Sequence, residues 1–255
     1  MRYLFCLLIF LVGCGPEWEM QASPPAPAPT PIVTVEPAWT HYAPVRSVRD
    51  LGPVLTDVES HLPQGHPYAN PGDIVNWVHE GTHGVNSDLR QAYHRAGFYV
   101  LNDKAVLIDN PALTLTAVAR EIPASLRGFC YNLYFVQQLR DWNDTPTYPF
   151  DEWAAYTNGA ESRLRRNIPD RNDTVQFCLE FIPYSICVAK AAHDAGLPED
   201  PQMKAFIRWQ AERCIGLGNE IKQPLPNMMA ADAESFRDFC HLYFGARWTA
   251  QYLGF

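Results

Sequence analysis

The pentapeptide His79-Glu80-Gly81-Thr82-His83 constrains the fold of this chain more than any other feature. Residues four apart on an α-helix share one face, one turn apart, so two imidazoles meet one ion only if the segment is helical throughout. The setting agrees. Pro71-Gly72-Asp73 opens the segment with Asp73 as cap, and Ile74, Val75, Trp77, Val78 and Val85 recur at apolar positions on the way to Leu89. An ion held by two imidazoles needs at least one further protein ligand, so the fold must carry a second segment onto this helix.

Glu80 directly follows the first histidine. Zinc in such a site lowers the pKa of water towards neutrality, and a neighbouring carboxylate takes the proton as that water attacks a carbonyl carbon. The same carboxylate then returns the proton to the leaving amine. The third ligand is not a histidine further along the same stretch. Asn86 and Leu89 stand where the metzincin extension has glycine and histidine. A carboxylate on a later helix is the remaining common solution. Phe150-Asp151-Glu152-Trp153-Ala154-Ala155-Tyr156 fits best, with small Ala155 three residues after Glu152 to let the two helices approach. Glu161 lies two and a half turns beyond Glu152, too far to share its ion. Asp88 points away from both histidines, His61 and His66 stand in a loop, and His94, His193 and His241 read as solvated or satisfied. Tyr156, one turn after Glu152, is placed to donate to a developing oxyanion, with Tyr131 and Tyr134 as weaker candidates. Asn86, Asp88 and Asp151 are available to orient the imidazoles.

Together, His79-Glu80-Gly81-Thr82-His83 and Glu152 in Asp-Glu-Trp-Ala-Ala-Tyr resemble a gluzincin-type zincin metallopeptidase over roughly residues 72–166. The resemblance implies Zn2+ held by His79, His83 and Glu152, with Glu80 as general base and a peptide or protein as substrate. A non-catalytic zincin-like lipoprotein serving as a binding or structural module is the alternative. The intact Glu80 and the complete ligand set favour catalysis.

The N-terminus reads separately. Met1-Arg2 and the apolar run Tyr3 to Val12 are too short to span a membrane. Leu11-Val12-Gly13-Cys14 resembles a bacterial lipobox, which implies loss of residues 1–13 and tethering to a membrane through lipid on Cys14 alone. Gly15 in place of Asp resembles outer-membrane lipoproteins, so the expected location is the bacterial cell envelope, periplasmic or surface-facing. Residues 14–44 are rich in Pro and Ala and read as an extended spacer, with the globular domain at 45–255.

A formal net charge of −8 and the lack of any Lys/Arg run argue against nucleic acid. Arg163, Arg165 and Arg166 read as a solvated helix face. Beyond Cys6 and Cys14, five cysteines remain: Cys130, Cys178, Cys187, Cys214 and Cys240. They lie in helical patterns without a CxxC pair, so buried thiols and disulfides are both open and a cysteine zinc site is not expected. Two β-prone runs around Asn102-Asp103-Lys104 predict a hairpin at 98–108. It serves either as an edge strand aligning a peptide over the ion or as a cover for the core. Helices are expected at about 111–121, 124–141, 150–166, 174–195, 200–217 and 232–250, separated by prolines. The fold class is α+β, mainly α: a zincin-like helical domain with one small sheet element.

Overall fold

A computed structural model describes residues 36–64, 68–168, 173–220 and 233–252. Cys14 with the leader 1–13, the spacer up to residue 35, and His66 lie outside these residues. The element order is β1 (Thr40–His41), α1 (Pro53–His61), α2 (Ile74–Tyr93), β2 (Ala96–Tyr99), β3 (Lys104–Ile108), α3 (Leu115–Glu121), α4 (Phe129–Asn132), α5 (Leu139–Trp142), α6 (Tyr148–Arg165), α7 (Asp173–Asp194), α8 (Pro201–Glu220), α9 (Ala233–Phe244) and α10 (Ala246–Tyr252). The fold is α+β and mainly α, with one antiparallel sheet in the order β1-β3-β2.

The helix carrying the pentapeptide starts where the local chemistry demands. Asp73 accepts from the main-chain N–H of Asn76 at 3.1 Å, satisfying one of the orphan donors of the first turn. The helix then runs to Tyr93 and ends on left-handed His94 (φ 53°). Its core stripe is Trp77, Val78, Val85 and Leu89, all buried against α1 and the sheet.

The sheet divides the core by its two-residue period. Phe98, Val106 and Ile108 join the larger cluster with α3, α6, α7 and α8, where Phe98 stacks on Phe206 at 5.7 Å. Tyr99, Leu101 and Ala105 join the smaller cluster with α1 and α2. Gly97 sits where β2 meets α2, and a Cβ there would lie 2.5 Å from Leu89 Cβ. The strand is therefore seated directly on the helix.

Three features depart from the sequence reading. The folded body takes in the end of the expected spacer. Thr40 and His41 pair with Ala105 and Lys104, Tyr42 is buried, and Trp39 packs edge-on against Trp209 at 4.7 Å. The single helix expected at 124–141 is broken into a 3-10 turn at Ala124–Leu126, α4, a π-helical turn at Leu133–Gln137, and α5. Its cause is tertiary: buried Glu180 of α7 accepts from the Cys130 N–H at 3.0 Å and starts a new helix there. The helix expected at 232–250 is interrupted at Gly245 (φ 86°). Cys130, Cys178, Cys187, Cys214 and Cys240 are all buried free thiols.

Gly97→Ala is expected to destabilise the protein by about 1–3 kcal/mol through overpacking against Leu89. Denaturant unfolding monitored by circular dichroism measures it, and an unchanged midpoint would contradict the close seating of β2 on α2.

Candidate metal centre

α2 presents a polar stripe to α6. His79, His83, Asn86 and Arg90 fall at i, i+4, i+7 and i+11, the repeat that keeps side chains on one helix face. From α6, Asp151 and Glu152 face this stripe, both buried. The helices approach closely at Gly159, where an added Cβ would lie 3.3 Å from the Val75 carbonyl oxygen and 3.9 Å from His79 Cβ. Gly159 is a small residue at this contact.

Three atoms converge. His79 Nε2 lies 3.1 Å from His83 Nε2, and each lies 3.5 Å from Glu152 Oε2. A tetrahedral ion with bonds of about 2.0–2.1 Å sets its ligand atoms about 3.3–3.4 Å apart, so this triangle has the size of one face of such a tetrahedron. Glu152 Oε2 is buried and makes no hydrogen bond. A buried carboxylate oxygen without a donor is costly and calls for a cation. His79, His83 and Glu152 form a group that can hold a metal ion.

The remaining carboxylate atoms are all engaged. Tyr148 donates to Glu152 Oε1 at 2.5 Å, leaving Oε2 to face the two imidazoles. His83 Nδ1 lies 2.8 Å from Asp151 Oδ1, which also accepts from Asn86 Nδ2 at 2.8 Å, while Arg90 Nη1 donates to Asp151 Oδ2. A carboxylate accepting from Nδ1–H turns the Nε2 lone pair of His83 towards the space between His79 and Glu152, where a metal ion could be held. Of the three residues available to orient the imidazoles, Asp151 does so. Asn86 braces Asp151, and Asp88 instead accepts from Tyr42. Tyr148 and Arg90 escaped the sequence reading. Their signal is spacing alone: Tyr148 stands one turn before Glu152, and Arg90 two turns after His83.

The electrostatics follow from these pairs. Burial pushes the His83 imidazolium towards losing its proton, but the carboxylates of Glu152 and Asp151 outweigh it and hold its pKa well above the ordinary value. Burial likewise opposes ionisation of Asp151 and Glu152. His83 overcomes it in both, helped by Arg90 and Asn86 at Asp151 and by His79 at Glu152, so both pKa values fall below the usual carboxylate range.

His79 and Glu80 line a cleft of about 720 Å³ with Tyr134, Tyr156, Gly159, Arg163 and Phe177. The Tyr156 ring packs edge-on against His79 at 4.4 Å, and its hydroxyl lies 2.8 Å from that of Tyr134. Burial raises the pKa of both tyrosines, so both stay neutral hydrogen-bond donors. Tyr131 stacks on Phe135 and does not line the cleft. Arg163, read above as solvated, is half-buried in the cleft wall and donates to Thr174 Oγ1 at 3.0 Å. Glu161 pairs with Arg213 at 2.6 Å, away from the triangle.

Of the two roles open for the hairpin, the edge-strand role fails on geometry. No strand residue lines the cleft. The outer edge of β2 is occupied: Tyr99 N–H donates to Asn86 Oδ1 at 2.7 Å, and Tyr99 O accepts from Asn158 Nδ2 at 3.1 Å. His61 is likewise not a loop residue. It ends α1 fully buried, with Nδ1 2.7 Å from the Asp57 carbonyl and Nε2 2.9 Å from Asp103. Asp57, His61 and Asp103 are the other group with metal-ligating spacing among the described residues. There, however, Asp57 already accepts from Tyr99 Oη and Asn102 N, so the cluster is satisfied as a brace for the hairpin turn.

No protein-family model, no curated protein and no solved structure matches this chain, so the site stands on its own geometry.

Metal uptake is expected to strengthen with pH, because an ion must displace the proton that His83 holds. One proton released corresponds to about tenfold in affinity per pH unit below the raised His83 pKa, measurable by competition titration. In metal-stripped protein the signs separate. Stability from His83 is fully present below its unfolded value of about 6.5 and is lost as pH rises through the raised folded value. Stability from Asp151 and Glu152 is present above about pH 4 and is lost as pH falls through their depressed values. Urea unfolding across pH should therefore show a maximum between the two; metal affinity independent of pH would contradict the pairing.

Proposed function

We propose that this protein is a zinc-dependent metallopeptidase tethered to a bacterial cell envelope through lipid on Cys14. The observation that carries the catalytic reading is the Nε2–Nε2–Oε2 triangle with sides of 3.1, 3.5 and 3.5 Å, built around a buried carboxylate oxygen that lacks a protein donor. Its donor set suits zinc: two neutral imidazoles and one carboxylate leave a coordination position for water or substrate. Zinc bound there supplies a Lewis acid that polarises a carbonyl and makes water acidic near neutral pH.

The chain's own residues supply the rest. The Glu80 carboxylate lines the cleft one residue after His79. That carboxylate takes a proton from the attacking water and delivers it to the leaving amine. Tyr134 faces both Tyr156 and Glu152. When Tyr134 donates to Tyr156, the Tyr156 hydroxyl hydrogen is left for an oxygen in the cleft, where it answers negative charge developing on the substrate carbonyl. Tyr148 holds Glu152 in place by donating to Oε1. With the sheet edge closed, an extended substrate is held by side chains of α2, α6 and α7, which form the walls of the cleft. The tether rests on Leu11-Val12-Gly13-Cys14 and a spacer of proline-rich sequence.

Glu80→Gln is expected to retain close to one zinc per chain while turnover of a casein or peptidoglycan-peptide substrate falls by about 10²–10⁴-fold. His83→Ala and Glu152→Ala should lose the zinc. Metal analysis and initial rates on the same preparations check both. Undiminished hydrolysis by the Glu80 variant would move catalysis elsewhere, and zinc uptake without hydrolysis by the native chain would favour a binding module.

A further inference from the structure

The metal triangle is shared between two helices, so its size depends on how α2 and α6 are held relative to each other. Packing at Gly159 brings the two helices close. A third element is hydrogen-bonded to both. Both main-chain groups of Tyr99, on the outer edge of β2, are taken by asparagine side chains, one from each site-bearing helix. Asn86 of α2 accepts from the Tyr99 N–H at 2.7 Å and donates to Asp151 at 2.8 Å. Asn158 of α6 donates to the Tyr99 carbonyl at 3.1 Å and lies 3.2 Å from Thr82 Oγ1 of α2. Asn158 is itself held by Arg213 Nη2 at 2.9 Å, and Arg213 by Glu161 at 2.6 Å. Asn86, Thr82, Tyr99 and Asn158 are all completely buried.

We infer that Asn86 and Asn158 are positioning residues of the metal site, clamping α2 and α6 to the fixed main chain of Tyr99 so that His79, His83 and Glu152 keep ion-sized spacing. The inference rests on reading those three residues as metal ligands. Asparagine suits the task because its amide offers a donor and an acceptor on one short, stiff arm. Asn86 uses both at once, joining Tyr99 to the Asp151 carboxylate that orients His83. Asn158 does the same one layer away, joining Tyr99 to Arg213. Displacing either residue lets one helix shift against the other, and a shift of a few tenths of an ångström in the triangle weakens an ion held at three points.

The test compares the full chain with Asn86→Ser, Asn158→Ser, the double variant and a control, Val106→Ala, which truncates a buried core residue on β3. Zinc affinity comes from competition titration. Cobalt(II) absorption reports coordination geometry, and melting temperature without metal reports the fold. Each serine variant is expected to bind zinc about 10–100-fold more weakly, with a changed cobalt spectrum. The control should lower the melting temperature as much while moving the affinity by less than about twofold. Because both asparagines act through one main-chain residue, the double variant should lose less than the product of the single losses. Should a serine variant fail to fold, the uncharged Asn86→Thr or Asn158→Thr replaces it with the same expected weakening. Affinities within about twofold of the native chain in both single variants, an equal loss in Val106→Ala, or a strictly multiplicative double loss would each overturn the clamp. A native chain that takes up no zinc would instead overturn the metal-site reading, and the clamp with it.

Discussion

Two adjacent carboxylates buried at a helix crossing have to be neutralised, and most of this structure follows from how that is done. Leaving either charge unpaired in the interior costs several kcal/mol, enough to undo a domain of ordinary stability. Asp151 and Glu152 are answered differently. Asp151 has a full complement within the chain: His83, Asn86 and Arg90. Glu152 has Tyr148 on one oxygen and two imidazoles facing the other across gaps of 3.5 Å. These gaps lie at the long limit for hydrogen bonds and match the spacing of ligands on a common ion. The asymmetry separates a brace from a site, and the same test sets the satisfied cluster at His61 apart from the triangle.

Neutralising these charges shapes the elements around them. α2 carries two stripes, an apolar one for the sheet and α1 and a polar one for α6. The sheet is small because its task is local: β2 is seated on α2 through Gly97 and has its free edge capped by side chains from both site-bearing helices. A strand edge that would otherwise invite another chain is thereby closed. The cleft is consequently a helical one, with Tyr134 delivered by a π-helical turn, a feature often found where a helix is bent to function.

Much of the site was legible because its signals are short-range. The pentapeptide, Asp73 as cap and the apolar stripe all lie within one helix, and 3.6-residue periodicity makes them readable from one stretch of sequence. Glu152 and Tyr156 were reachable for the same reason, being one turn apart on another helix. The partners that complete the site were not, because their pairing crosses long separations. Asn158 reads as an ordinary helical residue until Tyr99 and Arg213 are seen on either side of it. The helix expected at 124–141 failed for a related reason: Glu180, fifty residues away, supplies the acceptor that starts a new helix at Cys130.

The sequence by itself determined that a helix would carry two imidazoles on one face, that a later helix would carry a carboxylate, and that a hairpin would lie between them. Periodicity and capping are properties of neighbouring residues and need no partner to be read. Only the tertiary structure decided that the two helices cross at Gly159, that Asp151 orients while Glu152 is left with an unpaired oxygen, and that the hairpin covers instead of receiving. Those outcomes depend on which buried polar groups find donors. That balance is struck only when distant segments are packed together, because desolvation penalises every group left without one.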